Sequence, residues 1–176
     1  MADLYQTETT NLFRSIGCWT DRHKDAYWDP KLKRWIYPET GFPDMRVFMS
    51  CAYRPKYPIA LVEVKTGEGT NRERFAFSSW RQEQRDWYEK HGNFSLYYWL
   101  MIVMGKRIGG KKYGRLAILI PAEEFLQIEM QSARKSISYD QAAESEFRLT
   151  WDSGTGGWVI PENHLFYNTF LRERVA

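Results

Sequence analysis

The stretch FPDMRVFMSCAYRPKYPIALVEVKTGEG, Phe42–Gly69, holds the residues on which the fold turns. Two runs rich in apolar and β-branched residues flank RPKYP, Arg54–Pro58, whose two prolines rule out a central strand and mark a turn. An antiparallel hairpin is therefore expected, with one strand opening at Asp44 and the next running from Ile59 to Lys65. Side chains alternate faces along a strand, so Leu61, Glu63 and Lys65 point one way and Val62 and Val64 the other. The valines belong to the core. An acid and a lysine on the other face would ordinarily be a simple ion pair on a sheet surface.

Asp44 alters that reading. A hairpin turning at Arg54–Pro58 brings the start of its first strand beside the end of its second. Asp44, Glu63 and Lys65 then converge at one edge. Two carboxylates that close repel unless a cation lies between them. A hard divalent ion, Mg²⁺ or Mn²⁺, takes such oxygens and keeps waters for itself, which leaves room for a phosphate. The Val64 carbonyl is a third candidate ligand. Lys65 beside the ion would orient a water for attack on phosphorus.

Outward from this hairpin the chain reads as alternating helices and strands. DLYQTETTNLFRSIG has apolar residues at Leu4, Tyr5, Leu12, Phe13 and Ile16, which predicts a helix stopped at Gly17. Residues 18–44 read as irregular, with turns at Asp29-Pro30 and Pro38 and a short strand near Lys33–Tyr37. TGEGTNRERFAF is expected as a loop. SSWRQEQRDWYEKHG is expected as a helix with serine at its N-cap and few apolar positions, Trp80, Trp87 and Tyr88. NFSLYYWLMIVMG and RLAILIP are buried strands, and AEEFLQIEMQSARKS is a helix entered at Pro121. EFRLTWDSGTGGWVIP is a hairpin turning at DSGTGG, and ENHLFYNTFLRERV a short terminal helix. The expected class is α/β or α+β: a central mixed sheet flanked by helices, with a C-terminal β-hairpin appendage.

The chain of 176 residues reads as a single domain, with a core at about 4–130 and an extension at about 131–176. Hydrophobic residues make up 43%, enough for a core at this length. Lys and Arg number 25 against 22 Asp and Glu, so net charge alone does not indicate nucleic acid. Basic residues cluster locally, in RHK (Arg22–Lys24), KLKR (Lys31–Arg34) and above all GKRIGGKKYGR (Gly105–Arg115). Each alone is a solvated loop; together they could supply phosphate contacts, with Lys106, Arg107, Lys111, Lys112 and Arg115 the candidates. Cys18 and Cys51 have no metal or disulfide spacing, which fits reduced thiols in a cytoplasmic protein. No signal peptide or membrane span is read.

The PD of Pro43-Asp44 and the EVK of Glu63–Lys65 resemble the PD-(D/E)XK nuclease superfamily. The order over Thr7 to about Val103 is most similar to Holliday-junction resolvases. Those have a first helix bearing a glutamate and ended by glycine, PD before a strand, an apolar ExK strand, then a helix with a glutamine. The resemblance implies a restriction-endonuclease-like core and a Mg²⁺- or Mn²⁺-dependent DNA endonuclease. It implies Asp44 and Glu63 as metal ligands, Lys65 assisting the nucleophile, and Glu8 reaching the metal through water. Gln84, or Gln82 in its place, would position the lysine or the phosphate. A homodimer acting on branched DNA follows, in the cytoplasm of a cell or of a host if the enzyme is phage-borne, and serving recombination or repair. The plain readings are a solvent-facing Glu8 and a helix-surface Gln84. The spacer from Asp44 to the ExK is long, and the segment before PD exceeds a minimal core.

Two alternatives follow from the same residues: a duplex-DNA end-processing or restriction nuclease, and a nucleic-acid-binding or assembly module that keeps the fold without catalysis. His23, His91 and His164 are scattered and read as surface or capping residues. GKRIGGKKYGR lacks the GK[ST] of a phosphate loop and reads as a flexible hairpin tip that touches a backbone. Trp151 and Trp158 could be a stacking platform, but a packed hairpin pair is the simpler reading.

Overall fold

The computed structural model describes residues 2–23, 27–36, 42–49, 59–67, 72–91, 97–108 and 112–171. The turn at Arg54–Pro58, Cys51, Pro38 and Lys111 lie outside these residues. The chain begins with α1 (Ala2–Ser15), which stops as expected at Gly17. Gly17 adopts φ +82°, its N–H bonds to the Arg14 carbonyl at 3.0 Å, and Cys18 N–H reaches the Phe13 carbonyl at 3.0 Å. This left-handed stop suits glycine, which has no Cβ to clash. The polar middle of α1 is partly buried because Thr9 and Thr10 return their hydroxyls to the carbonyls of Tyr5 and Gln6.

Seven strands form one mixed sheet. In spatial order they are β1 (Trp19–Arg22), β4 (Met45–Phe48), β5 (Ile59–Thr66), β7 (Tyr98–Ile108), β8 (Lys112–Pro121), β10 (Arg148–Asp152) and β11 (Gly157–Val159). β4 and β5 pair antiparallel, Met45 opposite Val62, as the opening stretch predicted. β5 and β7 run parallel, so the chain must cross over between them, and it does so through α2 (Gln82–His91). Two short ladders flank the sheet: β2 (Tyr27–Asp29) with β3 (Arg34–Ile36), and β6 (Arg74–Ala76) with β9 (Ser136–Ser138).

Both faces of the sheet are covered, which accounts for the unbroken apolar text of β7 and β8. Trp99, Met101 and Val103 join Ala117 and Leu119 in a core closed by Leu12 and Phe13 of α1 and by Phe166 and Phe170 of α5 (Leu165–Phe170). Leu100, Ile102 and Met104 join Ile118 and Ile120 in a second core. Phe125 of α3 (Ala122–Gln131) and Ala142 of α4 (Tyr139–Ala143) close it. α2 buries no residue fully. It is anchored instead by Arg85, which donates to the carbonyls of Trp80 and Phe77 and pairs with Glu129 of α3 at 2.6 Å.

Several sequence expectations are corrected here. The C-terminal hairpin is no appendage: Arg148 and Leu149 of β10 pair with Ile118 and Ala117 of β8, extending the central sheet. GKRIGGKKYGR is largely strand, because β7 and β8 stay paired as far as Ile108 opposite Lys112. TGEGTNRERFAF contains β6, and the irregular segment contains β1, whose lone buried side chain, Thr20, leaves no apolar alternation to read. Serine does not cap α2, since Phe77–Ser79 form a separate tight turn and the helix starts at Gln82.

Candidate active site

β4 begins at Met45, opposite Val62, but β5 runs on past that pair to Thr66. The Val64 N–H therefore has no strand opposite it, and the Asp44 carboxylate takes that place, accepting at 2.8 Å through Oδ2. The Val64 carbonyl projects to the same edge, because a residue's N–H and C=O share one side of a strand. The Asp44 N–H in turn donates to Glu63 Oε2 at 3.3 Å. Phe42 steadies this turn by packing edge-on against Trp87 of α2, ring centres 5.1 Å apart.

Glu63 is 1% exposed, yet its surroundings are polar. Oε1 accepts from Lys65 Nζ at 2.6 Å and from Gln84 Nε2 at 2.5 Å. Burial, followed by the negative charge of Asp44, raises its carboxyl from 4.5 to about 7, against the lowering pull of Lys65. Tyr98, buried nearby, has its hydroxyl pushed upward by burial and then by Glu63. Gln84 is held at both ends: its side-chain oxygen accepts from the Arg81 N–H at 3.1 Å, capping α2, while its NH₂ holds Glu63. Gln82 instead donates to Asp86 at 2.7 Å along the helix surface.

Asp44, Glu63, Lys65 and Gln84 are thus brought together. Glu8 is not beside them. Its Oε2 accepts from Arg115 Nη2 at 2.5 Å and from Trp158 Nε1 at 3.2 Å. The residue of α1 that meets Asp44 is Gln6, which donates Nε2 to Asp44 Oδ1 at 3.2 Å and accepts from Arg22. Gln6 was missed because two residues along a helix turn the side chain by about 200°, and sequence alone does not fix the rotation of α1. Its signal was only its place among the polar positions of that helix.

Of the basic candidates, Arg115 is occupied by Glu8 and its guanidinium lies 4.8 Å over the Trp151 ring and 5.4 Å over Trp158. Those two indoles pack edge to face at 4.9 Å, the packed hairpin pair. Lys106 pairs with Asp140 at 2.9 Å. Arg107 is exposed on β7, and Lys112 lies in β8. His164 caps α5, its Nδ1 accepting the Phe166 N–H at 3.0 Å.

A cleft of about 270 Å³ opens where β5 passes the ends of α1 and α2. Tyr5, Gln6, Lys65, Arg72, Ser79 and Arg81 line it, over a floor of Val64 and Thr66. The donor set suits a hard divalent cation: two adjacent carboxylates, one of them destabilised as an anion, and a strand-edge carbonyl, all oxygen. Among the described residues no three His, Cys, Asp or Glu side chains gather in a metal-like group, so a third oxygen would be the carbonyl or water. No described helix is long and apolar enough to cross a membrane. No protein-family model matches the chain, and no curated protein matches it significantly.

Proposed function

We propose that this chain is a divalent-metal-dependent DNA endonuclease of the PD-(D/E)XK type, with a restriction-endonuclease-like core. One observation carries the reading: Asp44, Glu63 and Lys65 meet at the open end of β5, beside a cleft lined by cations. The order helix, glycine stop, PD, ExK strand, glutamine-bearing helix supports it in space as it did in sequence.

Asp44, Glu63 and the Val64 carbonyl would hold Mg²⁺ or Mn²⁺, which when bound polarises phosphate and lowers the pKa of water. Lys65 now neutralises Glu63. With that oxygen given over to a cation, Lys65 would be free to serve the cleft that it already lines. There it orients a water and steadies charge developing on phosphorus. Gln84 keeps Glu63 in place through this exchange, and Gln6 does the same for Asp44. Water adds to phosphorus, one P–O ester bond breaks, and the departing oxygen takes a proton.

A branched junction is the proposed substrate, cut by a two-fold dimer. The test is cleavage of four-way junction, matched duplex and single strand with Mg²⁺ or Mn²⁺. Junction cleavage that Asp44→Asn abolishes while binding persists is the expected result. Wild-type protein that binds DNA and cuts none of these makes it a binding module instead.

A further inference from the structure

The geometry points to the cleft beside Lys65 as a phosphate pocket, in which Arg72 and Arg81 take a phosphate group neighbouring the one that is cut. The inference rests on the nuclease reading for its place in a reaction, but the pocket is tested by binding alone. Among the described residues three cations and no acid line the cleft. In the proposed reaction Lys65 serves the phosphate that is cut, and the guanidinium groups of Arg72 and Arg81, with the Ser79 hydroxyl beside them, supply the donors for a second one.

Backbone strain marks Arg72 independently. Its φ is +54°, a left-handed conformation that side-chain-bearing residues seldom adopt. The chain holds it there from two sides. Its carbonyl accepts the Gly105 N–H of β7 at 3.2 Å. The same carbonyl crowds Gly67 at the end of β5 so closely that a Cβ on Gly67 would lie 2.4 Å from it. The result is a guanidinium laid 4.9 Å over the Tyr5 ring at the wall of the cleft. Strain of this kind persists where the surroundings over-determine it, and it gathers at ligand sites. Here it delivers a planar cation, suited to two phosphate oxygens, to the side of the cleft formed by α1. Arg81 stands exposed just before α2, next to Ser79, where it can close on the same group. The phosphate could be an internal diester of a continuous strand or the monoester at a strand end. Both present the same oxygens.

The experiment uses Asp44→Asn protein, so that binding is read without cleavage. The probes are a 5′-phosphorylated duplex, the same duplex with a 5′-hydroxyl, and a covalently closed circle. Arg72→Gly and Arg81→Ala are compared with Arg148→Ala, three strands away on β10. Glycine is at home at φ +54°, so Arg72→Gly removes the guanidinium while easing the backbone, and an unchanged or raised melting temperature confirms folding. Each cleft variant is expected to lose about tenfold in affinity and about one unit of salt slope, while Arg148→Ala loses neither. Losses on all three probes assign an internal phosphate; losses confined to the phosphorylated duplex assign a strand end. No binding to any probe, or unchanged affinity and slope in the double cleft variant, overturns the pocket. Wild-type cleavage with unchanged cleft variants would leave the nuclease standing and remove the pocket. Lost affinity in a wild-type chain that never cleaves would do the reverse.

Discussion

Glu63 with Lys65 and Glu8 with Arg115 are the same chemical pair, a carboxylate held by a cation at 2.6 and 2.5 Å, set on opposite faces of one sheet. Their surroundings give them different work. Glu8 has the Trp158 N–H as a second donor and, among the described residues, no second carboxylate beside it, and Arg115 is roofed by two indoles. That pair is satisfied and ties α1 to β8 and β11. Glu63 faces Asp44 across one backbone N–H, and its carboxyl is raised to about 7. That pair is one negative charge over balance and borders a cleft. On the proposed function a divalent cation would relieve the charge at Glu63 and Asp44 and would gain nothing at Glu8. Excess charge beside an opening, rather than ion pairing itself, is what distinguishes the Glu63 pair from the Glu8 pair and makes it the candidate for chemistry.

The comparison breaks most sharply in cleavage. Asp44→Asn or Lys65→Ala is expected to lower the Mg²⁺-dependent rate by at least about 10³-fold, and Glu8→Gln by less than about tenfold per folded molecule. Equal losses in a junction-nicking assay would erase the distinction. Stability of the metal-free protein comes next. The folded carboxyl of Glu63 lies above its ordinary value, so its contribution is fully present below pH 4.5 and drains away as pH rises to about 7. The loss should be on the order of 3 kcal/mol, from a shift of that size. Urea unfolding in chelator, followed from pH 4 to 8, should show the decline, and Glu63→Gln should flatten it. A flat wild-type profile would contradict the burial described for this carboxylate.

Breaking the structural pair should cost less. Arg115→Ala leaves Glu8 partly buried with one donor fewer and strips the indoles of their cation, for about 2 kcal/mol of stability in urea unfolding. DNA binding by folded Arg115→Ala should keep its salt slope, because the guanidinium is already engaged. A slope lower by about one would return this arginine to the phosphate contacts first assigned to it. Trp151→Ala, which removes the more exposed indole, should cost about 0.5–1 kcal/mol.

The meeting of Asp44, Glu63 and Lys65 was legible in the sequence and the Glu8–Arg115 pair was not. Asp44, Glu63 and Lys65 sit within one hairpin, where alternation and a proline turn fix the geometry locally. Gln84 was named only through the family resemblance, with Gln82 as its alternative, and the structure puts Gln84 rather than Gln82 against Glu63. Glu8 and Arg115 stand 107 residues apart, and no local rule joins them. The same limit hid β6 and β9, three residues each, whose pairing Arg74 with Ser138 stabilises neither segment alone. It also made the Gly105–Arg115 segment look like a loop. Its glycines and lysines are turn-like residues, but ten consecutive cross-strand pairs from Trp99 to Ile108 hold both arms straight.

The docking of α1 has a consequence in time. Leu12 and Phe13 of the first helix pack with Trp158 and Phe166, which come from the last strand and last helix described. A ribosome delivers those residues well after α2 and the central strands. A nascent chain that has emerged only as far as α2 already carries Asp44, Glu63, Lys65 and Gln84. It lacks the clamp that sets Gln6 against Asp44 and Tyr5 beneath Arg72. The side chains of the candidate site are made early and the wall of the cleft is set late, so on the proposed function the unfinished chain would hold its carboxylates and lysine without the wall that completes the site.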